Sequence, residues 1–316
     1  MIYTEATQNC AWLDLNNRSY FEVRGEDSRK FLNGLLTNDI QKLKGKTGCY
    51  ALLLTAKGKI IADLFCYACG DYFGIDCEGN LKQTLMENLK RYMIFQKVKL
   101  VEPNSQWEAA AVVGPQSEVA LEKILGELPS ANLSYAEKGF EEKPVWVICK
   151  TRWGFPSYEL WGKKETIAEL KSKLGLAEVD SATGEILRIE SATPKFGIDM
   201  DENTIPQEAN LYNALNFNKG CYVGQETVAR LEHRGHVGKK LVQLQIQGDV
   251  SPAKGGKICN SEGAEIGVVT SSTFSPKFKS ALALGYIRYN FLNLQKVMVG
   301  QIPATIQPLP SSKQPV

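Results

Sequence analysis

Histidine is nearly missing from this chain: His233 and His236 are the only two imidazoles in 316 residues. That scarcity excludes a histidine-rich metal centre and a dispersed Ser-His-Asp triad, because both chemistries depend on imidazole. Long hydrophobic runs are missing too. No apolar stretch reaches the roughly 18 residues that a membrane-spanning helix needs. The start, Met1 to Asn9, lacks the basic end and apolar stretch of a secretory leader. A cytoplasmic protein without a membrane partner is expected. Neither Gly-x-Gly-x-x-Gly nor the P-loop pattern occurs, which removes nucleotide binding through those loops. The basic clusters are not interleaved with aromatic residues, so direct sequence-specific reading of nucleic acid is not expected.

With 43% apolar and 23% charged residues, the chain can bury a real core. Its eight cysteines are scattered, and in a reducing compartment such thiols act mostly as small buried hydrophobes. Cys66 and Cys69 form a Cys-x-x-Cys pair inside a strand pattern. Side chains three apart on a strand face opposite ways, so these two cannot chelate one ion, and no metal site is expected. The net charge of +2 hides an asymmetry, because the first 100 and last 98 residues are basic and the middle is acidic. Lys42 to Lys59 holds five lysines and no acid, which reads as a solvated face able to attract anions.

Strand and helix patterns alternate through the first two thirds. Tyr20–Val23, Tyr50–Leu54, Ile60–Tyr67 and Tyr72–Cys77 read as strands, with Lys57-Gly58-Lys59 as a hairpin turn. Phe31, Leu32, Leu35 and Leu36 give one helix its apolar face; Leu81, Leu85, Leu89 and Tyr92, broadened by Met86 and Met93, give another. Further strands are expected at Val98–Val101, Trp107–Val113, Val145–Cys149 and Tyr158–Trp161, with helices over 116–125, 165–174 and 184–191. After Gly238, Val242, Leu244 and Ile246 alternate with glutamines, and short apolar runs follow. The expectation is an α+β region over residues 1–235, built of two interlocked sheet-and-helix units, then a small β-barrel or sandwich over 236–316 with a frayed tail from Pro308.

The segment richest in chemistry is Lys219-Gly220-Cys221-Tyr222-Val223-Gly224-Gln225-Glu226, followed by Arg230. Gly220 permits a tight turn. A helix over 223–232 would set Cys221 just ahead of its N-terminus, where the helix dipole and Lys219 place positive potential beside the sulfur. Gln225 could orient a ligand there, and Glu226 and Arg230 have the i, i+4 spacing of a pair. The bland alternative is an inert buried thiol.

This block resembles the hallmark of the YgfZ family, a branch of the folate-binding proteins similar to the glycine cleavage T-protein. Gly25 through Thr37-Asn38-Asp39, Tyr50–Asp63, Thr151–Leu160, Arg188-Ile189-Glu190 and Ile205–Leu211 fit the same family, so the resemblance covers nearly the whole chain. It implies a T-protein-like fold, tetrahydrofolate as cofactor, and a role in the synthesis or repair of iron–sulfur enzymes, including radical enzymes that thiomethylate tRNA. It also implies that Cys221 is the essential residue, shaped by Lys219, Gly220, Tyr222, Gly224, Gln225, Glu226 and Arg230, and that Glu190, with Arg188 and Asn38, holds the folate. One carboxylate can accept the adjacent N–H and amine of a pterin; a surface carboxylate on an amphipathic helix is the plain reading of Glu190. In one respect the chain departs from the T-protein pattern. An ungapped placement puts Gln83 where aminomethyl transfer uses an aspartate, and an amide cannot serve as that carboxylate. Folate-dependent one-carbon transfer and a non-catalytic folate-binding scaffold are the alternatives.

Overall fold

The computed structural model describes residues 2–307 and Leu309, except 104–106 and Arg152. The tail expected from Pro308 lies, Leu309 aside, outside the described residues. In chain order the elements are α1 (Ile2–Gln8), β1 (Ala11–Asp14), β2 (Arg18–Arg24), α2 (Ser28–Leu35), β3 (Gly48–Leu54), β4 (Ile60–Cys69), β5 (Tyr72–Glu78) and α3 (Lys82–Lys90). Then come β6 (Lys99–Val101), β7 (Trp107–Val113), α4 (Ser117–Leu125), β8 (Tyr135–Phe140), β9 (Lys143–Cys149), β10 (Ser157–Lys163), α5 (Lys164–Leu174) and α6 (Ser181–Glu190). Helix α7 (Gln225–Arg234) precedes β11 (Lys239–Ile246), β12 (Lys257–Cys259), β13 (Glu265–Ser275), β14 (Ser280–Arg288), β15 (Lys296–Val299) and β16 (Ile302–Gln307).

The chain folds as two compact units, one of residues 1–51 and 63–184, the other of 52–62 and 185–316. Within the second unit, Ile60 N donates to Thr204 O (3.0 Å) and Leu241 N to Glu208 O (2.7 Å).

Two five-stranded sheets are present, in the orders β1-β7-β10-β9-β8 and β3-β4-β5-β2-β6. In the first, β7, β9 and β10 are covered on both faces, so their sequences read as nearly continuous apolar runs. The two-residue period sorts their side chains. Val112, Val145, Val147, Tyr158 and Leu160 pack in one cluster with Leu121 of α4 and Ile167 and Leu170 of α5. Their alternates Ala111, Ile148 and Trp161 pack in another with Leu15 and Tyr67, and Tyr20, Phe65, Trp107 and Trp146 close it. That second cluster joins the two sheets face to face within the first unit.

The second unit carries a closed six-stranded barrel, β11-β14-β13-β12-β15-β16, whose core includes Val242, Leu244, Ile246, Ile258, Ala283 and Ile287. The alternation in β11 predicted a half-buried strand with its glutamines in water. Gln243 is instead buried, because its Nε2 donates to Ile189 O of α6 at 2.6 Å, while Leu241 packs on Ile189. Gly267 is fixed by close approach, since a Cβ there would lie 2.0 Å from Tyr286 O on the neighbouring strand. Gly184, inside α6, has open space where a Cβ would point, with nothing within 4 Å of it. Gly267→Ala is therefore expected to destabilise the chain by about 3 kcal/mol or more through overpacking, and Gly184→Ala to stabilise it by about 0.5–1 kcal/mol, both read from urea unfolding.

Candidate functional site

The interior of the first unit holds charges where apolar side chains would be the default. Arg18, Asp76, Lys150 and Glu159 are all buried. Arg18 donates to Asp76 Oδ1 from Nε (2.8 Å), its Nη2 lies 2.5 Å from the same oxygen as an ion pair, and Nη1 reaches Glu78 Oε1 at 3.1 Å. Lys150 Nζ lies between Asp76 Oδ2 (3.1 Å) and Glu159 Oε2 (2.7 Å), 3.5 Å from the centre of the Phe65 ring. Burial alone would lower the Arg18 pKa, but Asp76, Glu159 and Glu78 outweigh it and hold the guanidinium charged. Glu159 shares the inward-facing parity of Trp161 on β10, and Asp76 lies in the middle of β5, paired with Tyr20 of β2 and Phe65 of β4.

Beside this cluster is a chamber with about 240 Å³ of empty volume, lined by Asp76 and by the rings of Tyr20, Tyr67, Trp107, Trp146 and Trp161. The rings brace each other: Trp146 meets Tyr20 edge-on at 5.8 Å and Trp107 edge-on at 5.7 Å, and stacks on Tyr135 at 5.2 Å. Trp161 Nε1 is buried without a hydrogen-bond partner among the described residues. An orphaned indole N–H is a standing cost that a ligand acceptor would remove. Only about 10 Å³ of the chamber is open to the centre of a water molecule, far below the ~300 Å³ of ordinary small-molecule pockets.

The second unit presents the cysteine motif on a loop pinned by two glycines. Gly58 and Gly224 have φ of 74° and 86°, and a Cβ on Gly224 would lie 2.5 Å from Thr55 O and 3.2 Å from Gly58 Cα. The Lys57-Gly58-Lys59 turn and the cysteine motif are thus in direct backbone apposition. Gly224 also sets where α7 begins, at Gln225 rather than at 223 as the sequence predicted. Cys221 is exposed and four residues ahead of that helix, beyond the first turn to which dipole effects reach. Lys219 Nζ rests 5.0 Å from the ring centre of the buried Tyr222. Gln225 Oε1 accepts from Tyr222 N at 3.3 Å, so it braces its own loop. Gly220 has open space around it and ordinary φ; the conformationally required glycine is Gly224. Glu226 and Arg230 are both exposed and make no ion pair with each other.

The three residues expected to hold folate have other partners. Arg188 donates from Nη1 to Asp199 Oδ2 and Thr193 O, both 2.6 Å, and from Nε and Nη2 to Glu185. Asp199 also accepts from Thr270 (2.5 Å) and Ser271 (2.7 Å) of β13, so Arg188 is a fastener between α6 and the barrel. Glu190 Oε1 accepts a short hydrogen bond from Ser275 Oγ. Asn38 lies in the first unit, its Nδ2 donating to Tyr50 O at 2.9 Å and its Oδ1 accepting from Asp39 N. Gln83 is exposed on α3, with Nε2 donating to Glu87 Oε1 at 2.7 Å. Cys66 is fully buried on β4, and burial pushes its thiol well up. His236 stacks on Tyr289 at 4.0 Å. The residues that sequence reasoning passed over are Arg18, Lys150, Glu159 and the chamber tryptophans. The signal was present: each charge interrupts or borders an apolar strand.

Two stacked sheets followed by a closed barrel make a T-protein-like architecture. The chain belongs to the glycine cleavage T-protein family: residues 3–219 match the GCVT N-terminal domain and residues 239–313 the T-protein C-terminal barrel domain. The fold is similar to that of glycine cleavage system aminomethyltransferase T from Bartonella henselae, with a TM-score of 0.87 and 21% identity over 98% of this chain and 88% of that one. Among curated proteins, the aminomethyltransferase of Chloroherpeton thalassium is 28% identical over 93% of this chain and 83% of its own. That of Rubrobacter xylanophilus is 27% identical over 97% and 84%.

Removing one member of a buried charge cluster strands the others. Lys150→Met is expected to lose about 3–5 kcal/mol of stability, partly recovered when Glu159→Gln is added, as measured by urea unfolding at neutral pH.

Proposed function

We propose that this protein is a tetrahydrofolate-binding member of the YgfZ branch, serving the synthesis or repair of iron–sulfur enzymes, radical tRNA-thiomethylating enzymes among them, with Cys221 as its working thiol. Tetrahydrofolate is the cofactor of the T-protein family, and it supplies carriage of a one-carbon unit when bound. The observation that carries the reading is a pair of substitutions in role. The position at which the resemblance expects a catalytic aspartate is the exposed amide Gln83, while the most specific motif presents an exposed thiol, Cys221.

The chamber holds space for about one water, too little for a folate head group, so Glu190 is kept as the head group's carboxylate. The chamber's aromatic walls pack on one another, and both oxygens of Asp76 are taken, Oδ1 by Arg18 and Oδ2 by Lys150. Lys150 holds the Asp76 and Glu159 carboxylates apart and offsets their charge. Glu190 accepts a hydrogen bond from Ser275 at Oε1, which orients its carboxylate. In the second unit, the Gly58–Gly224 apposition and the Gln225 brace fix the loop, so Cys221 stands in solvent on a held backbone.

A second reading is folate-dependent aminomethyl transfer. It is favoured by the curated relatives, which are named aminomethyltransferase and match over more than four fifths of their length. Glu87, within reach of Gln83, is the carboxylate nearest to hand for it.

Glu190→Gln removes the charged acceptor and is expected to weaken tetrahydrofolate binding by about 10-fold or more, the worth of a hydrogen bond to a charged group, with Trp161→Phe within two-fold of wild type by calorimetry. The reverse pattern would move the head group to the chamber. Cys221→Ser is expected to abolish rescue of a radical tRNA-thiomethylating enzyme while folate affinity stays within two-fold. A fully active serine variant leaves the scaffold role, and wild-type turnover of an aminomethylated carrier with tetrahydrofolate establishes the transferase reading.

A further inference from the structure

The apolar pattern of α3 predicted that Tyr92 and Met93 extend its buried face. The helix instead stops at Lys90, and the chain continues as a string of turns, with Tyr92 N bonded to Leu89 O (3.0 Å), Met93 N to Lys90 O (3.2 Å) and Gln96 N to Met93 O (3.0 Å). The result is an apolar knuckle in water: Tyr92 is 46% exposed, Ile94 68% and Phe95 101%. Phe95 has φ of 64°, a conformation that an aromatic residue rarely adopts. Strain of this kind persists only where surrounding structure enforces it. Here the enforcement is visible, because Lys97 N donates to Asp27 Oδ2 at 2.8 Å. Gly25, at φ 118°, also lets Lys97 O approach to where a Cβ would lie at 2.0 Å.

The same contacts bring the knuckle to a second feature. A cavity of about 550 Å³ opens at the N-terminal end of α2, lined among others by Arg24, Ser28, Arg29 and Lys99, with Glu26 and Asp71. Ser28 is only 5% exposed, and its hydroxyl has no hydrogen-bond partner among the described residues. Arg29 is held rigidly, its Nη1 donating to Ile40 O (2.7 Å) and Leu43 O (2.9 Å), which leaves Nε and Nη2 without partners among the described residues. Glu26 is offset by Lys97 at 2.7 Å, and Arg24 by Glu22 at 2.6 Å. Lys99 is exposed and unpaired among the described residues. From Asn88 to Val101 the chain carries four basic residues and no acidic one.

We infer that this face docks an acidic segment of a partner protein, with a carboxylate in the cavity among Arg29, Lys99 and the Ser28 hydroxyl and an adjoining apolar side chain against Ile94 and Phe95. With Arg24 and Glu26 paired, Arg29 and Lys99 outnumber the one remaining carboxylate, Asp71, and apolar surface beside such a positive excess is the mark of a recognition site for an anion. A cavity of this size admits a discrete side chain, whereas a bilayer surface does not enter it. The helix end and the unpartnered hydroxyl both favour an anion there.

The test uses the full chain and a fluorescein-labelled peptide alternating acidic residues with leucine and phenylalanine, read by anisotropy at low salt. Binding is expected to weaken at least ten-fold in Phe95→Gly and in Lys99→Glu, and for the same peptide with lysines in place of its acids. Phe95→Gly relieves the positive φ, so its thermal midpoint is expected to rise while binding falls, a combination that a merely structural role does not produce. The inference is overturned if the peptide does not bind, or binds both variants or the lysine peptide equally well. It is also overturned if phosphatidylcholine–phosphatidylglycerol vesicles, and not the peptide, are what Phe95→Gly releases.

Discussion

Lys150 is the residue on which the interior of the first unit depends. Its ammonium lies against Asp76 of one sheet and Glu159 of the other and over the face of Phe65, with Arg18 completing the neutralisation of Asp76. Two carboxylates cannot stay charged in a dry interior unless opposite charges meet them at hydrogen-bonding distance. The demand fixes register as well. Shifting β10 by one residue would send Glu159 to the face where Tyr158 and Leu160 pack against α4 and α5, among apolar groups with no cation to meet it. The same parity turns Trp161 inward beside Glu159 and Trp146 inward beside it in the β9–β10 ladder. Charge pairing and the aromatic chamber therefore arise from one alignment.

The second unit solves a different problem, holding the loop that carries an exposed thiol. Its means are close approach and multiple acceptance. Gly224 and Gly58 come together because neither has a Cβ, and the positive φ that each needs is open to glycine at little cost. Asp199, buried, accepts from Arg188, Thr270 and Ser271 at once and so ties α6 to the barrel wall. Gln207 adds a buried bond from its Nε2 to Val228 O at 2.8 Å, holding the segment before the motif to α7. Cys221 owes its exposure to these restraints on either side of it.

Much of the architecture was legible in the sequence because period and punctuation agree with the fold. The alternation of Val242, Leu244 and Ile246 faces the barrel core as read, and Phe31, Leu32, Leu35 and Leu36 are buried together. Other features were hidden for physical reasons. Gln243 looks solvated in sequence, and only the packing of α6 across the strand makes it an interior donor to Ile189. The compact units interleave along the chain, which no composition shift marks. Periodicity carried α3 through Tyr92 and Met93, since apolar spacing alone cannot tell a buried stripe from an exposed cluster just past a helix end. At the candidate sites, the motif around Cys221 was visible, but the work of each neighbour was not: Lys219 and Gln225 brace Tyr222, and Arg188 serves Asp199. The chamber went unread because its charges are far apart in sequence and acquire meaning only when the sheets face each other.

A T-protein architecture retained at 21% identity to a solved aminomethyltransferase locates conservation of shape in packing rather than in particular chemistry. Packing tolerates substitution as long as volume and patterning survive, and a site is a separate endowment placed on that frame. The chain illustrates the separation within single elements. On α3, Leu85, Met86 and Leu89 keep the helix seated, while Gln83, exposed, bonds Glu87 and takes no part in that packing. On β10, Tyr158 and Leu160 maintain the core, while Glu159 and Trp161 on the other face equip a chamber. One residue of offset on a strand, or a third of a turn on a helix, divides what holds the fold from what can change its function. A polar group can therefore be gained or lost on the exposed face of an element while its core is kept.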